Sequence, residues 1–224
     1  MDKKAHAESS SSQNDKSFFG RIERGVNRNS FTAAAEDGSS FFIPGKLAEQ
    51  FNLSIGQELT EQEYSDLKDR IDFRKAKSKA VELLAIREHC TAELRTKLSR
   101  REFPEKTIHH VITSLTDSGL LSDRRYAEIW VRIRLRKNPE GRAMLSAGLD
   151  RKGVARNIIQ EVLDDCIDED VLDTALESAA AKLLRSRSMN RDKMMRALIR
   201  RGFDYGRVSR VIVRSFPEQS DNNF

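Results

Sequence analysis

The chain has 224 residues, 40 of them Lys or Arg and 35 Asp or Glu, for a formal net charge of +5. One third of the residues are charged and 7% are aromatic, and the longest run without Asp, Glu, Lys or Arg is the ten residues Thr107 to Thr116, about half the length of a bilayer-spanning helix. With Cys90 and Cys166 as the only cysteines, these figures exclude a spanning helix, a disulfide scaffold and a zinc ribbon, and fit a helix-rich protein with free thiols in a reducing cytosol.

Residues 1–17 are polar and Ser-rich and lack the apolar core of a secretory signal, so a disordered tail without export is expected there. From Phe18 the texture changes: seven of the eleven Phe residues fall before position 74, and short apolar runs are punctuated by Gly, Asn and Pro. Ser30-Phe31-Thr32 and Ser40-Phe41-Phe42-Ile43 flank the turn signal Glu36-Asp37-Gly38 and predict a β-hairpin, its second strand ended by Pro44-Gly45. Leu47 to Phe51 read as one or two helical turns, and Thr60-Glu61-Gln62-Glu63 as a capping box that opens a charged helix. Together, 18–73 form a small β-containing N-terminal module, whose Phe residues are read as core packing rather than base-stacking groups.

Between 74 and 216 apolar residues recur at spacings of three and four, with no strand signal. Pro104 marks a helix start and Gly119 a helix end, while Ser122, Asn190 and Asp204 are N-cap candidates. The spacing repeats on a larger scale. Leu94, Leu98, Phe103, Ile108 and Ile112 return 51 residues later as Leu145, Leu149, Val154, Ile159 and Leu163, and 49 residues after that as Met194, Leu198, Phe203, Val208 and Ile212. The preceding helices match at Ala80 and Leu84, Val131 and Leu135, and Ala180 and Leu184. Each unit is helix, helix, short turn, helix. The turns read Arg101-Glu102-Phe103, Lys152-Gly153-Val154 and Arg201-Gly202-Phe203, with glycine suited to a left-handed helix-ending position and Glu102 the imperfect copy. The expected fold is mainly α: three tandem three-helix repeats over 74–119, 120–166 and 167–216, a polar tail over 217–224, and an elongated, curved solenoid-like body.

Charge is segmented along these repeats. Residues 120–156 carry ten basic and four acidic side chains, 157–181 eight acids and no Lys or Arg, and 182–214 eleven basic and two acidic side chains. Basic blocks of this size fit a polyanion or an acidic protein surface. Arg132, Arg136 and, past the helix end, Lys137 are expected along one side, with Arg134 displaced, and Lys193, Arg196, Arg200 and Arg207 are expected to form a second stripe. The acids Asp164, Asp165, Asp168, Glu169 and Asp170 are read as a solvated linker between repeats, with a divalent-ion site as the alternative. Trp130 and Tyr126 are read as packing groups. No phosphate-binding glycine loop, nucleophile elbow or metalloprotease helix occurs. His89-Cys90 and His109-His110 are sequence neighbours whose side chains diverge on a helix. The expectation is a protein with no catalytic residue, no metal and no cofactor.

Gly119-Leu120-Leu121-Ser122-Asp123-Arg124-Arg125-Tyr126-Ala127, Pro139-Glu140-Gly141-Arg142 and Leu149-Asp150-Arg151-Lys152-Gly153-Val154 resemble the central signature of the RecX regulatory proteins, which are also three tandem three-helix repeats. Ile55-Gly56-Gln57-Glu58-Leu59 is similar to the lead-in of the longer members, and the resemblance spans about 20–214. It departs at Ala147-Gly148, at Glu102 and in the third repeat. The resemblance implies a bacterial, cytoplasmic, monomeric regulator that binds the RecA nucleoprotein filament and suppresses its ATPase, strand-exchange and coprotease activities, with direct contact to single- or double-stranded DNA as a further implication and no membrane partner. The candidate partner- or DNA-facing residues are Arg124, Arg125, Arg132, Arg136, Lys137, Arg142, Lys152, Lys193, Arg196 and Arg200. Gly119, Asp123, Tyr126, Ala127, Gly141, Gly153 and Gly202 are expected to serve structure: helix end, helix start, core and turns. The competing readings are a stand-alone DNA-binding repeat protein and a nuclease built on the Asp164–Asp170 cluster.

Overall fold

The computed structural model describes residues 18–27 and 29–217. The Ser-rich leader at 1–17 and the tail beyond Pro217 lie outside the described residues. Contacts divide the chain into two units, Met1–Lys75 and Ala76–Phe224.

The first unit is a four-stranded antiparallel sheet of order β3-β2-β1-β4, made from β1 (Gly20–Arg24), β2 (Ser30–Ala35), β3 (Ser40–Pro44) and β4 (Glu58–Leu59). The expected hairpin is β2–β3. Asp37 accepts a hydrogen bond from the Ser39 amide at 2.8 Å and Gly38 takes φ 83°, the left-handed backbone that a tight turn needs. Ile22, Ala33 and Ile43, one from each long strand, are fully buried with Ala48 of α1 (Gly45–Gln50), Leu59, and Tyr64, Leu67 and Ile71 of the next helix. The Tyr64 ring meets Phe19 and Phe41 edge-on at 5.4 and 5.0 Å, an arrangement favoured by the ring quadrupoles. Phe31 and Phe51 also pack on this core.

Helix α2 (Glu61–Ile86) opens on the capping box: the Thr60 amide donates to Glu63 Oε2 at 2.9 Å and the Glu63 amide donates to Thr60 Oγ1 at 3.3 Å. Its 26 residues contain neither Gly nor Pro, and the helix runs unbroken through 73–74.

The second unit is helical throughout its described residues. The end of α2 with α3 (Thr91–Ser99) and α4 (Glu105–Asp117) makes the first repeat. The second comprises α5 (Asp123–Lys137), α6 (Arg142–Asp150) and α7 (Arg156–Cys166), and the third α8 (Glu169–Leu184), α9 (Arg191–Arg200) and α10 (Tyr205–Ser215). Of the fifteen positions that define the repeat, fourteen are buried and Phe103 is half-buried. Ser122, Asn190 and Asp204 cap α5, α9 and α10 through their side chains.

The turn residues Glu102, Gly153 and Gly202 share a left-handed backbone, with φ 61°, 80° and 83°. Two of the three sit at a junction between repeats. Cys90, which precedes α3, donates its Sγ–H to the Lys152 carbonyl at 3.2 Å, and Gly141, which precedes α6, donates its amide to the Arg201 carbonyl at 2.8 Å. Cys90 and Gly141 are equivalent in the repeat, as are Lys152 and Arg201. The same two positions therefore join repeat one to two and repeat two to three. Approach there is close: a β-carbon on Gly153 would lie 2.6 Å from Ala92 Cβ, one on Gly202 would lie 2.6 Å from the Met144 nitrogen, and one on Gly141 would overlap the Gly202 carbonyl. Glycine at 153 and 202 meets both a dihedral and a packing demand.

The acidic segment is solvent-exposed, as its composition suggests, but is helix ends rather than a linker. Asp164 and Asp165 lie in the last turn of α7, Glu169 and Asp170 open α8, and only Ile167 and Asp168 connect the two helices. Asp168 accepts the Val171 amide at 2.8 Å as the α8 N-cap. Three of the other four acids face arginines distant in sequence: Asp164 pairs with Arg142, Asp165 with Arg124 and Glu169 with Arg207. A block without Lys or Arg of its own finds its counter-charges on neighbouring helices.

Candidate partner-binding surface

The basic residues divide by what they already hold. Arg124, in the first turn of α5, donates to Glu128 at 3.1 Å, to Glu161 of α7 at 3.2 Å and to Asp165. The Asp165 carboxylate beside it raises its pKa further. Arg125 grips both Glu88 oxygens at 2.5 and 3.2 Å and donates to the Gly119 and Leu120 carbonyls at 3.2 and 3.0 Å, so it closes the connection from repeat one to repeat two. Arg142 reaches the Leu163 carbonyl at 3.1 Å as well as Asp164. Lys152 lies 3.5 Å from Glu93. These four candidates act inside the fold as cross-links between helices.

Arg207 is likewise not part of the expected cationic stripe. It lies on α10, its side chain is only 13% exposed, and it is bound by Glu169 and by Asp173 at 2.6 Å. Arg134 donates to both Glu140 oxygens at 3.2 and 2.7 Å and stands over the Trp130 ring at 5.3 Å.

Arg132, Arg136 and Lys137 are exposed on α5, and Arg196 and Arg200 on α9, with no ion-pair partner among the described residues. Lys193 is exposed and donates only to the Ser188 carbonyl, at 3.2 Å. Two cationic helix faces thus remain open, one on repeat two and one on repeat three.

Gly119 follows α4 with φ 70°, and Tyr126 and Ala127 are buried in the second repeat's core. Asp123 does more than begin α5: its Oδ1 accepts the Thr91 amide at 2.6 Å and caps α3 from outside the first repeat. Trp130 packs against Gly148, where any β-carbon would collide with the indole.

Glu93, which sequence reading did not single out, is the node of the first junction. Arg87 and His89 reach its Oε2 at 3.0 Å each, and the Tyr126 hydroxyl donates to Oε1 at 3.3 Å. Burial pushes the Glu93 carboxyl up, but the hydrogen bonds from His89 and Arg87 and the charges of Arg87 and Lys152 outweigh it and hold the pKa below the ordinary value. Burial and the Glu93 charge push the Tyr126 phenol up.

Besides a cleft of about 420 Å³ between α5 and α8, where Arg136 shares the wall with Asp168 and Asp170, two more lie at the junctions. One of about 290 Å³ is bounded by Arg87, Glu88, Glu93, Tyr126, Ile129, Trp130, Ile133 and Lys152. The other, about 630 Å³, lies between repeats two and three and includes Arg142, Leu163, Leu172, Ile199, Phe203 and Arg207 in its walls. Among the described residues no three His, Cys, Asp or Glu side chains converge on a metal position, and no helix is long and apolar enough to cross a membrane.

An array of three-helix repeats places the chain in the class of helical-repeat proteins. Comparison makes the class specific. The family descriptions "RecX, first three-helix domain" and "RecX, second three-helix domain" match residues 76–115 and 122–163. The Regulatory protein RecX of Chlorobium phaeobacteroides is 36% identical over 148 residues, covering 65% of this chain and 96% of the relative. That of Streptococcus gordonii is 27% identical over 191 residues, covering 84% of this chain and 74% of the relative. The chain belongs to the RecX family, whose members are named as regulatory proteins and not for an enzymatic activity. A crystal structure of regulatory protein RecX shares the fold, with a TM-score of 0.66 at 21% identity over 88% of this chain and 98% of that one. The crystal structure of RecX from Lactobacillus salivarius gives 0.55 at 26% identity over 64% of this chain and 96% of that one.

Proposed function

We propose that this chain, a monomer in the bacterial cytoplasm, binds the RecA nucleoprotein filament and inhibits its ATPase, strand-exchange and coprotease activities. The observation that carries this reading is the pair of open cationic faces, Arg132-Arg136-Lys137 and Lys193-Arg196-Arg200, on successive repeats of a covalently linked series. A filament offers the same surface many times over, and two linked contacts of modest strength raise the effective affinity without a single tight site. The test is RecA ATPase on single-stranded DNA with the chain added at a stoichiometric ratio. Inhibition that deepens with added protein is expected; undiminished hydrolysis overturns the reading.

The second reading, a DNA-binding repeat protein acting alone, draws on the same unpaired arginines, since Arg suits phosphate. It requires binding to bare DNA that weakens steeply with salt and is indifferent to RecA.

A further inference from the structure

Helix α5 carries more than cations on its open face. Ile129 and Ile133 are 38% and 42% exposed and stand one turn apart. Arg132 and Arg136 lie three residues beyond each, so 129, 132, 133 and 136 follow the i, i+3, i+4, i+7 spacing that places residues on one side of a helix. The two isoleucines also form part of the wall of the cleft of about 290 Å³ at the first junction, together with Tyr126 and the half-buried Trp130. The charged groups of that cleft are already matched: Arg87 and Lys152 to Glu93, and Glu88 to Arg125. The cleft itself therefore presents apolar and aromatic surface, while the cations without an ion pair, Arg132, Arg136 and Lys137, lie outside its walls on the same helix, Arg136 bordering a second cleft with Asp168 and Asp170.

We infer that this face is a protein-docking site whose occupant is an acidic amphipathic segment of the partner: an apolar side chain seats in the cleft against Ile129, Ile133 and Trp130, and flanking carboxylates meet Arg132 and Arg136. Charge complementarity selects an acidic partner. The isoleucines select protein over nucleic acid, because a phosphate backbone laid on the arginines leaves the two aliphatic side chains in water, whereas an apolar anchor removes them from it. Trp and Tyr in an apolar cleft, with Arg on the same helix, is the composition that concentrates binding energy in protein interfaces. The assignment rests on the functional reading above and narrows it: α5 takes the protein component of the nucleoprotein filament, not its DNA.

The test compares Ile129→Ser/Ile133→Ser with the unaltered chain for binding to RecA filaments on single-stranded DNA and to the bare DNA. An unchanged melting temperature, expected for side chains this exposed, and rescue by Ile129→Leu/Ile133→Leu show that the loss is one of contact. Filament binding is expected to weaken by about tenfold or more while bare-DNA binding stays within about twofold. Arg132→Glu/Arg136→Glu is expected to weaken filament binding by a similar factor. If Ile129→Ser/Ile133→Ser binds filaments as the unaltered chain does, or loses filament and bare-DNA binding equally, the protein-docking assignment is overturned and the filament reading stands. If the unaltered chain binds no filament, the functional reading falls first and this assignment with it.

Discussion

Glu102 holds, with a side chain, the left-handed backbone that Gly153 and Gly202 hold without one. A β-carbon in that region costs about 1–2 kcal/mol, and the extra freedom a glycine gives the unfolded chain returns about 0.4–1 kcal/mol of it. Glu102→Gly is therefore expected to stabilise the protein by roughly 0.5–1 kcal/mol, read as a higher urea midpoint at unchanged slope. Gly202→Ala runs the other way, since its methyl must enter the left-handed region and also press on Met144; a loss of about 2 kcal/mol or more is expected from the same measurement. An equal effect of both changes would show that the junction does not press on Gly202. The glycines were legible as turn residues from their place in the repeat. Their packing role was not, because the atoms they make room for belong to the preceding repeat, some 60 positions away.

Elements are tied by carboxylates that the sequence presents as surface charge. Glu93 on α3 gathers Arg87 from the end of α2, Tyr126 from α5 and Lys152 from the turn before α7. Because its folded pKa is lowered, the stabilisation it contributes is present above the unfolded carboxyl pKa of about 4.3 and drains away as pH falls through the folded value. Thermal melts taken downward from about pH 6 are expected to show a fall in stability below about pH 4.5, and Glu93→Gln to flatten that acid limb. If the two pH profiles coincide, Glu93 is not the group responsible. The acidic turn from α7 to α8 teaches the same lesson. Composition read Asp164 to Asp170 as a solvated connector, whereas three of its five acids meet arginines on other helices. Helix periods and caps are local and were readable. Ion pairs between residues some 22 to 41 apart are tertiary facts that no window reveals.

At the largest scale the second unit repeats one three-helix plan, and the buried pattern survives even where residue types drift, as when Leu94 becomes Leu145 and then Met194. That is why the helical fold was legible: every copy must fill the same hole. The sheet was half legible. β2 and β3 carry the turn signal between them, but β1 has a single fully buried aliphatic, Ile22, among charged neighbours, and β4 is only two residues long. The basic residues were legible as a list and not as a division into paired and open, because Arg124, Arg125, Arg142, Lys152 and Arg207 meet carboxylates brought to them by the fold. With one open face on each of two repeats, neutralising both is expected to weaken filament binding by at least the product of the single losses. The measurement is a titration of Arg132→Ala/Arg136→Ala, Arg196→Ala/Arg200→Ala and the combined variant; a combined loss no greater than the larger single one would mean that only one face engages.

The junction also constrains how its helices may begin. Where Cys90 and Gly141 begin their helices without a cap from their own side chains, the third copy has Asn190, whose Oδ1 accepts the Lys193 amide at 2.9 Å. An asparagine moved to position 141 would set its β-carbon on the Gly202 carbonyl, so the bare opening of the middle copy is what leaves its follower room to seat.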